Sequence, residues 1–186
     1  RDIRQVLPFD NLDRYLEARD TLEDALNFLV ESYDAKLGFM SSRMAYRHDD
    51  SASVLQAIGD RQRNPYISFY ESKLEDILES KIVGIGILIP EQIIPAFTLA
   101  KMIKDKSPDT TVILGGNTFS RIKDGIEASP LSEHYDFGIT SEADDALPKL
   151  VSDLLAGKKI TSLDFYEEST PDVKALPTPD WSDVDF

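Results

Sequence analysis

The chain has 186 residues, 41% of them hydrophobic and 29% charged, which suffices for one domain with a sizeable core. Its net charge of -14 and pI near 4.5 argue against nucleic acid as a partner, because phosphates would be repelled over most of the surface. The absence of cysteine excludes disulfides, thiol nucleophiles, Cys-ligated zinc and iron–sulfur ligation by these residues, and no run approaches the roughly 18 apolar residues of a membrane helix.

The chain opens at Arg1 and is expected to be a piece of something longer, so a targeting signal would lie elsewhere. With no membrane partner in view, the expected compartment is the cytoplasm. Ile3 to Leu7 is a short strand candidate ended by Pro8. Leu12, Tyr15, Leu16, Leu22, Leu26, Leu29 and Val30 recur at helical spacing. Thr21 with Asp24 resembles a capping box, which predicts either one helix broken near Asp20 or two helices in series. Residues 34–64 read as an irregular surface excursion with a short helix from Ser51 to Asp60.

Order restarts at Asn64-Pro65. Ile67, Tyr70, Leu74, Ile77 and Leu78 form one helical stripe leading into Ile82 to Ile89. That run is almost wholly apolar and β-branched, as in a strand covered on both faces, and Pro90 stops it. A helix is predicted from near Gln92, with Pro95 tolerable only in its first turn. Val112 to Leu114 is the next strand, followed by Gly115-Gly116-Asn117. A short helix around Ile122 to Ala128, a strand at 136–140, a helix opening at Ser141 and closing at Gly157, and a strand from Ile160 to Tyr166 complete the order. Pro171, Pro177 and Pro179 mark a linker that carries Trp181 and Phe186.

This order predicts an α/β fold: a Rossmann-like, doubly wound parallel sheet of four to five strands with helices on both faces, preceded by a helical N-terminal segment. Residues 1–64 form that segment, 65–168 the Rossmann-like domain and 169–186 the linker. In such sheets ligands bind where the strands end, here at Pro90 to Gln92 and Gly115 to Asn117. Gly115-Gly116 would let a backbone or a flat ligand come close, or would serve turn geometry alone. No third glycine completes a dinucleotide fingerprint. Ser141 is placed to cap a helix, with Asp144 at the capping-box position, though these residues could also rim a ligand. His48, flanked by Asp49 and Asp50, and His134 read as surface residues. They lack metal-ligand spacing, and no catalytic residues or metal site are predicted.

An ordered series adds a resemblance. Val83-Gly-Ile-Gly, Pro-Glu-Gln, Leu-Ala-x-x-Ile-Lys, Val-Ile-Leu-Gly-Gly-Asn, Asp-Phe-Gly-Ile-Thr-Ser-Glu-Ala-Asp-Asp-Ala-Leu and Leu-Pro-Thr-Pro-Asp-Trp are similar to the N-terminal cobalamin-binding domain of radical S-adenosylmethionine enzymes. The likeness runs from about Asn64 to Phe186 and is greatest to the group linked with maturation of ribosomal peptide natural products. It implies cobalamin held at the strand ends by Gly86, Ile87, Leu88, Pro90, Gln92, Gly115, Gly116, Asn117, Ser141 and Glu142. It also implies binding without a histidine ligand, since the D-x-H-x-x-G motif is absent. Gly86 stands where the family often has Ser, and Ser-Glu-Ala-Asp stands where it often has Gly-Glu-Gly-Glu. S-adenosylmethionine and a four-iron cluster would belong to a radical barrel beyond the linker. That barrel would be the main partner, with a peptide substrate as a further one. The domain alone would not be catalytic; the full enzyme would be a methyltransferase or oxidoreductase. One alternative is a cofactor-free interaction module of the same fold. Another is a flavodoxin-like or receiver-like domain, although Ile89 and Gly115 stand where a receiver would place its phosphoacceptor aspartate.

Overall fold

The computed structural model describes residues 12–39, 41–140, 142–158, 160 and 178. Its centre is a parallel sheet of three strands, β3 (Ile82–Gly86), β4 (Thr111–Gly115) and β5 (Phe137–Ile139), ordered β3-β4-β5. Ile82 pairs with Thr111, Gly86 with Gly115, and Gly115 with Ile139. Helices α5 (Ile93–Lys106) and α6 (Asn117–Glu127) make the crossovers, and α7 (Ala143–Leu155) follows β5. The chain is therefore α/β. The candidate strand at Ile3 to Leu7 lies outside the described residues, as do residues 161–166 of the last strand candidate and, apart from Thr178, the linker with Trp181.

Two cores flank the sheet. On one face Ile87, Val112 and Leu114 pack with Phe97, Ala100 and Ile103 of α5 and Phe119 and Ile126 of α6. On the other, Ile113, Phe137 and Ile139 pack with Ala146 and Leu150 of α7. The alternation along β4 explains the division: Val112 and Leu114 point one way, Ile113 the other. Helix α5 starts cleanly because Pro95 falls in its first turn, where an N–H would have had no helical partner. Gly157 takes a left-handed conformation, with φ +69°, just past the end of α7.

The N-terminal segment is helical but differs in detail from the sequence expectation. Helix α1 (Leu12–Val30) is unbroken, because Thr21 does not cap: its hydroxyl donates back to the Glu17 carbonyl at 2.7 Å within the helix. Strands β1 (Lys36–Gly38) and β2 (Ser41–Arg43) pair antiparallel as a short hairpin. Asn27 of α1 acts as its missing neighbour, donating to the Leu37 carbonyl and accepting from the Leu37 N–H at 3.1 Å. Helix α2 (Ser51–Ala57) is capped by Asp50 and contributes Val54 and Ala57 to the first core. The stripe from Ile67 to Leu78 divides into α3 (Pro65–Glu71) and α4 (Leu74–Leu78), separated at Ser72-Lys73.

Asn64 joins these parts. It is fully buried, and its amide donates to the Ala57 carbonyl at 2.9 Å and to Thr98 Oγ1 of α5 at 2.8 Å. Its Oδ1 accepts from the Tyr66 N–H as the N-cap of α3. Lys104 does similar work at the sheet's N-terminal edge. Its ammonium pairs with Asp136 at 2.6 Å and donates to the Thr110 carbonyl, while Asp136 accepts from the Val112 N–H.

Candidate functional site

The strand-end edge is built around Ile87. β3 stops at Gly86, earlier than the apolar run to Ile89 suggests, and Ile87 turns its carbonyl towards the start of α6. That carbonyl accepts from the N–H groups of Thr118, at 3.0 Å, and Phe119, at 3.4 Å. Thr118 Oγ1 donates to the Leu88 carbonyl. The first free amides of α6, which could otherwise receive an anion, are thus partly occupied by the chain itself.

Gly116 makes this crossing possible. It has φ +101°, and a Cβ there would meet the Ile87 carbonyl oxygen at 2.7 Å. The close approach that the Gly-Gly pair allows is here taken by the protein's own backbone. Gln92 holds the same loop from the other end, its Oε1 accepting from the Leu88 and Ile89 N–H groups. Gln92 is therefore an internal brace.

The other glycines differ. A Cβ on Gly84 or Gly86 would meet no heavy atom within 4 Å, and one on Gly115 would only touch Ile139 at ordinary contact distance. Gly84, Gly86 and Gly115 lie on the α7 side of the sheet, in register across β3 and β4, and form a strip without side chains. The apolar run at β3 predicts a strand covered on both faces. Val83 and Ile85 do pack against the first core and Ile82 against the second, while Gly84 and Gly86 are exposed and β3 is the sheet's edge among the described residues. Local composition reports that a strand is apolar; it does not report which neighbour flanks it.

Leu88, Pro90, Asn117 and Glu142 are also exposed at this edge, Leu88 at 62%. Asn117 is the first residue of α6, so the loop expected there is a helix start. Ser141 lies outside the described residues. Glu142, not Ser141, precedes the first helical residue of α7, and it makes no side-chain cap bond. The cap position thus falls one residue later than predicted, and no side-chain cap bond forms there.

Neither histidine reaches this edge through its element. His134 ends the 3₁₀ turn Pro130–His134 before β5, at the opposite, N-terminal edge of the sheet, and burial followed by Lys101 lowers its pKa. His48 sits in the loop before α2, where Asp49 is paired with Arg47 and Asp50 is used as a cap. No group of three or more His, Cys, Asp or Glu side chains suited to a metal ion occurs among the described residues.

A second feature adjoins the edge of β3 and was not foreseen from sequence. A cleft of about 380 Å³ opens between Ile85 and Gly86, residues Leu37, Gly38, Phe39, Ser41 and Ser42 of the β1–β2 pair, Tyr66 and Tyr70 of α3, and the start of α5. The Tyr66 and Tyr70 rings lie 6.3 Å apart at 26°. Burial pushes the Tyr70 hydroxyl up to about 12, so it stays a neutral phenol. The one visible signal was the i, i+4 spacing of the two tyrosines, which equally describes a core stripe. No family model matches the chain, and neither a curated protein nor a solved structure matches it.

Proposed function

We infer that the chain is the cobalamin-binding module of a radical S-adenosylmethionine enzyme, in the full protein a C-methyltransferase acting on a peptide or natural product. The observation that carries the reading is the strip of Gly84, Gly86 and Gly115 beside α7 at the strand-end edge. A broad, flat group needs a floor without side chains, and these residues fit that need. Gly86 and Gly115 would form the floor, Leu88 and Pro90 the apolar border, and Asn117 and Glu142 the polar rim, with Ser141 beside it. Ile87, Gln92 and Gly116 would hold the border rigid. When bound, methylcobalamin supplies the methyl group for an unactivated carbon, and the protein's part is positioning. No histidine of this chain is placed to serve as a ligand.

The same reading extends the sheet to four or five doubly wound strands. Ile160 packs against the α7 core, which supports a further strand at Ile160–Tyr166 reached through α7. A C-terminal radical barrel with its four-iron cluster and S-adenosylmethionine would be the partner, the peptide its substrate, and the cytoplasm the compartment. No helix among the described residues is long and apolar enough to cross a membrane.

One observation favours the second reading, a cofactor-free interaction module. The closest approach offered by the Gly-Gly pair is already filled by Ile87. The test uses the full-length protein, because a barrel would complete the site. Beyond Phe186 its sequence is expected to contain C-x-x-x-C-x-x-C, and hydroxocobalamin is expected to co-elute with it in gel filtration. A Gly86→Val variant with unchanged melting temperature should lose the corrin absorbance. Absence of the cysteine motif would refute the radical-enzyme assignment. Its presence without corrin retention would leave the cofactor-free module.

A further inference from the structure

Helix α1 is thinly packed for its length. It spans 19 residues yet buries only Val30, and none of its residues belongs to either core. One side is engaged with the hairpin, where Asn27 bonds to Leu37 and Glu23 accepts from the Phe39 N–H. A helix in a protein draws most of its stability from packing an apolar face against a neighbour. On its other side α1 has such a face, and among the described residues nothing covers it.

The spacing on that side selects what can cover it. Leu12, Arg19 and Leu26 recur every seven residues, and Tyr15, Leu22 and Leu29 do the same three places later. This is the a/d pattern of a helix–helix seam. Leu12 is 66% and Leu29 69% exposed, and Tyr15 and Leu22 are exposed as well. Ala18 and Ala25 flank the seam and are small enough to let a second helix come close. Such a seam needs holes formed by four residues of a facing helix, which an extended strand does not offer. Residues 1–11 and 161–186 cannot supply that helix, because Pro8, Pro171, Pro177 and Pro179 cut them into pieces shorter than two heptads. The helix that does carry a matching seam is α1 itself.

We propose that α1 pairs, antiparallel, with α1 of a second copy of this chain across this seam. The direction follows from Arg19. In a parallel pair in register, the two Arg19 guanidiniums would face each other between the helices. In an antiparallel pair each a position meets a d position. Leu12 then meets Leu29 of the second copy, Leu26 meets its Tyr15, and Arg19 meets its Leu22, next to the carboxylate of its Glu23. Opposed helix dipoles favour the same direction. The net charge of -14 on each copy works against association, so the pair rests on apolar burial. The seam involves α1 alone and is independent of the cobalamin reading.

The test is sedimentation velocity and light scattering on the 186-residue chain across the micromolar range. The mass should rise towards twice 20.9 kDa, and added salt should favour the larger species by screening the shared negative charge. Leu29→Glu, at an exposed position, should leave the chain folded and weaken association by about tenfold or more. Arg19→Leu completes the repeat and should tighten association. The chain has no cysteine, so single Leu12→Cys and Leu29→Cys variants report the direction. Mixed under oxidation, the two should cross-link with each other in preference to themselves. Should Leu29→Glu lose its helix, the cross-linking pattern carries the same information. A monomer throughout the range would mean that another segment or domain covers α1 and would overturn the proposal. Dimerisation indifferent to Leu29→Glu, or cross-links chiefly of each variant with itself, would overturn it too.

Discussion

Replacing Asn64 with alanine tests how the N-terminal segment is fastened to the sheet domain. Asn64 is fully buried and uses both amide protons and its carbonyl oxygen. Losing the cap of α3 costs about 1 kcal/mol. The Ala57 carbonyl loses this donor but still accepts from the Asp60 N–H at 3.2 Å, and the truncated amide leaves a small buried void, together about 2 kcal/mol. Thr98 fares better, because its hydroxyl still donates to the Ile94 carbonyl at 2.7 Å. The sum is about 3 kcal/mol, a large share of a domain's usual 5–15 kcal/mol. For a chain of this size it corresponds to a fall of about 6–12 °C in melting temperature. Urea titration should show a lower midpoint at an unchanged m-value. Thr98→Val should cost less, and the double variant should cost less than the sum, since both remove the same bond. Asn64→Asp keeps the cap acceptor but loses the donors and buries a charge, so it should be less damaging at pH 4 than at pH 7. A loss below about 1 kcal/mol for Asn64→Ala, or strict additivity with Thr98→Val, would refute the fastening role.

Three further outcomes follow from the structure. Gly116→Ala must hold φ +101° and displace the Ile87 carbonyl, so it should cost about 3 kcal/mol by urea unfolding, whereas Gly84→Ala, with open space around it, should stay within about 0.5 kcal/mol. Lys104→Met removes an ion pair and a donor to the Thr110 carbonyl; with the two side chains 16% and 35% exposed, the loss should be about 2 kcal/mol by urea unfolding, and Asp136→Asn should lose less. His134 has a lowered native pKa from burial and Lys101, so the unfolded chain protonates first as pH falls through about 6.5, and stability declines until the native pKa is passed. Urea midpoints from pH 8 to pH 5 should show that slope, and His134→Gln should flatten it.

The parallel core was legible because its signals are local. Val112 to Leu114 had to be a strand, Pro95 had to lie in a first turn, and Gly157 had to follow a helix end. The hairpin was not legible: Lys-Leu-Gly and Ser-Ser-Arg carry little strand preference, and Asn27, ten residues before Leu37, holds β1 in place. The division between α3 and α4 was hidden for a related reason, since apolar spacing continues across Ser72-Lys73 while the helical bonds do not. At the candidate site the glycines were visible as glycines. Whether each one faces open space or a neighbouring backbone depends on the path of Ile87, and no periodicity encodes that path.

Ile87 therefore decides what kind of edge this sheet has. In the sequence it is one more apolar residue in the run Ile82 to Ile89. In the fold its side chain is fully buried in the first core while its N–H ends the β4 ladder and its carbonyl caps α6. A residue engaged on all three sides can move only if the strand, the helix start and the core move together. The loop from Ile87 to Gln92 is consequently a fixed wall, with Gln92 bracing its far end. A ligand at the strand ends must come over the open glycines beside α7. Gly86→Val, which adds bulk over that strip where a Cβ meets open space, therefore tests this approach without disturbing the wall.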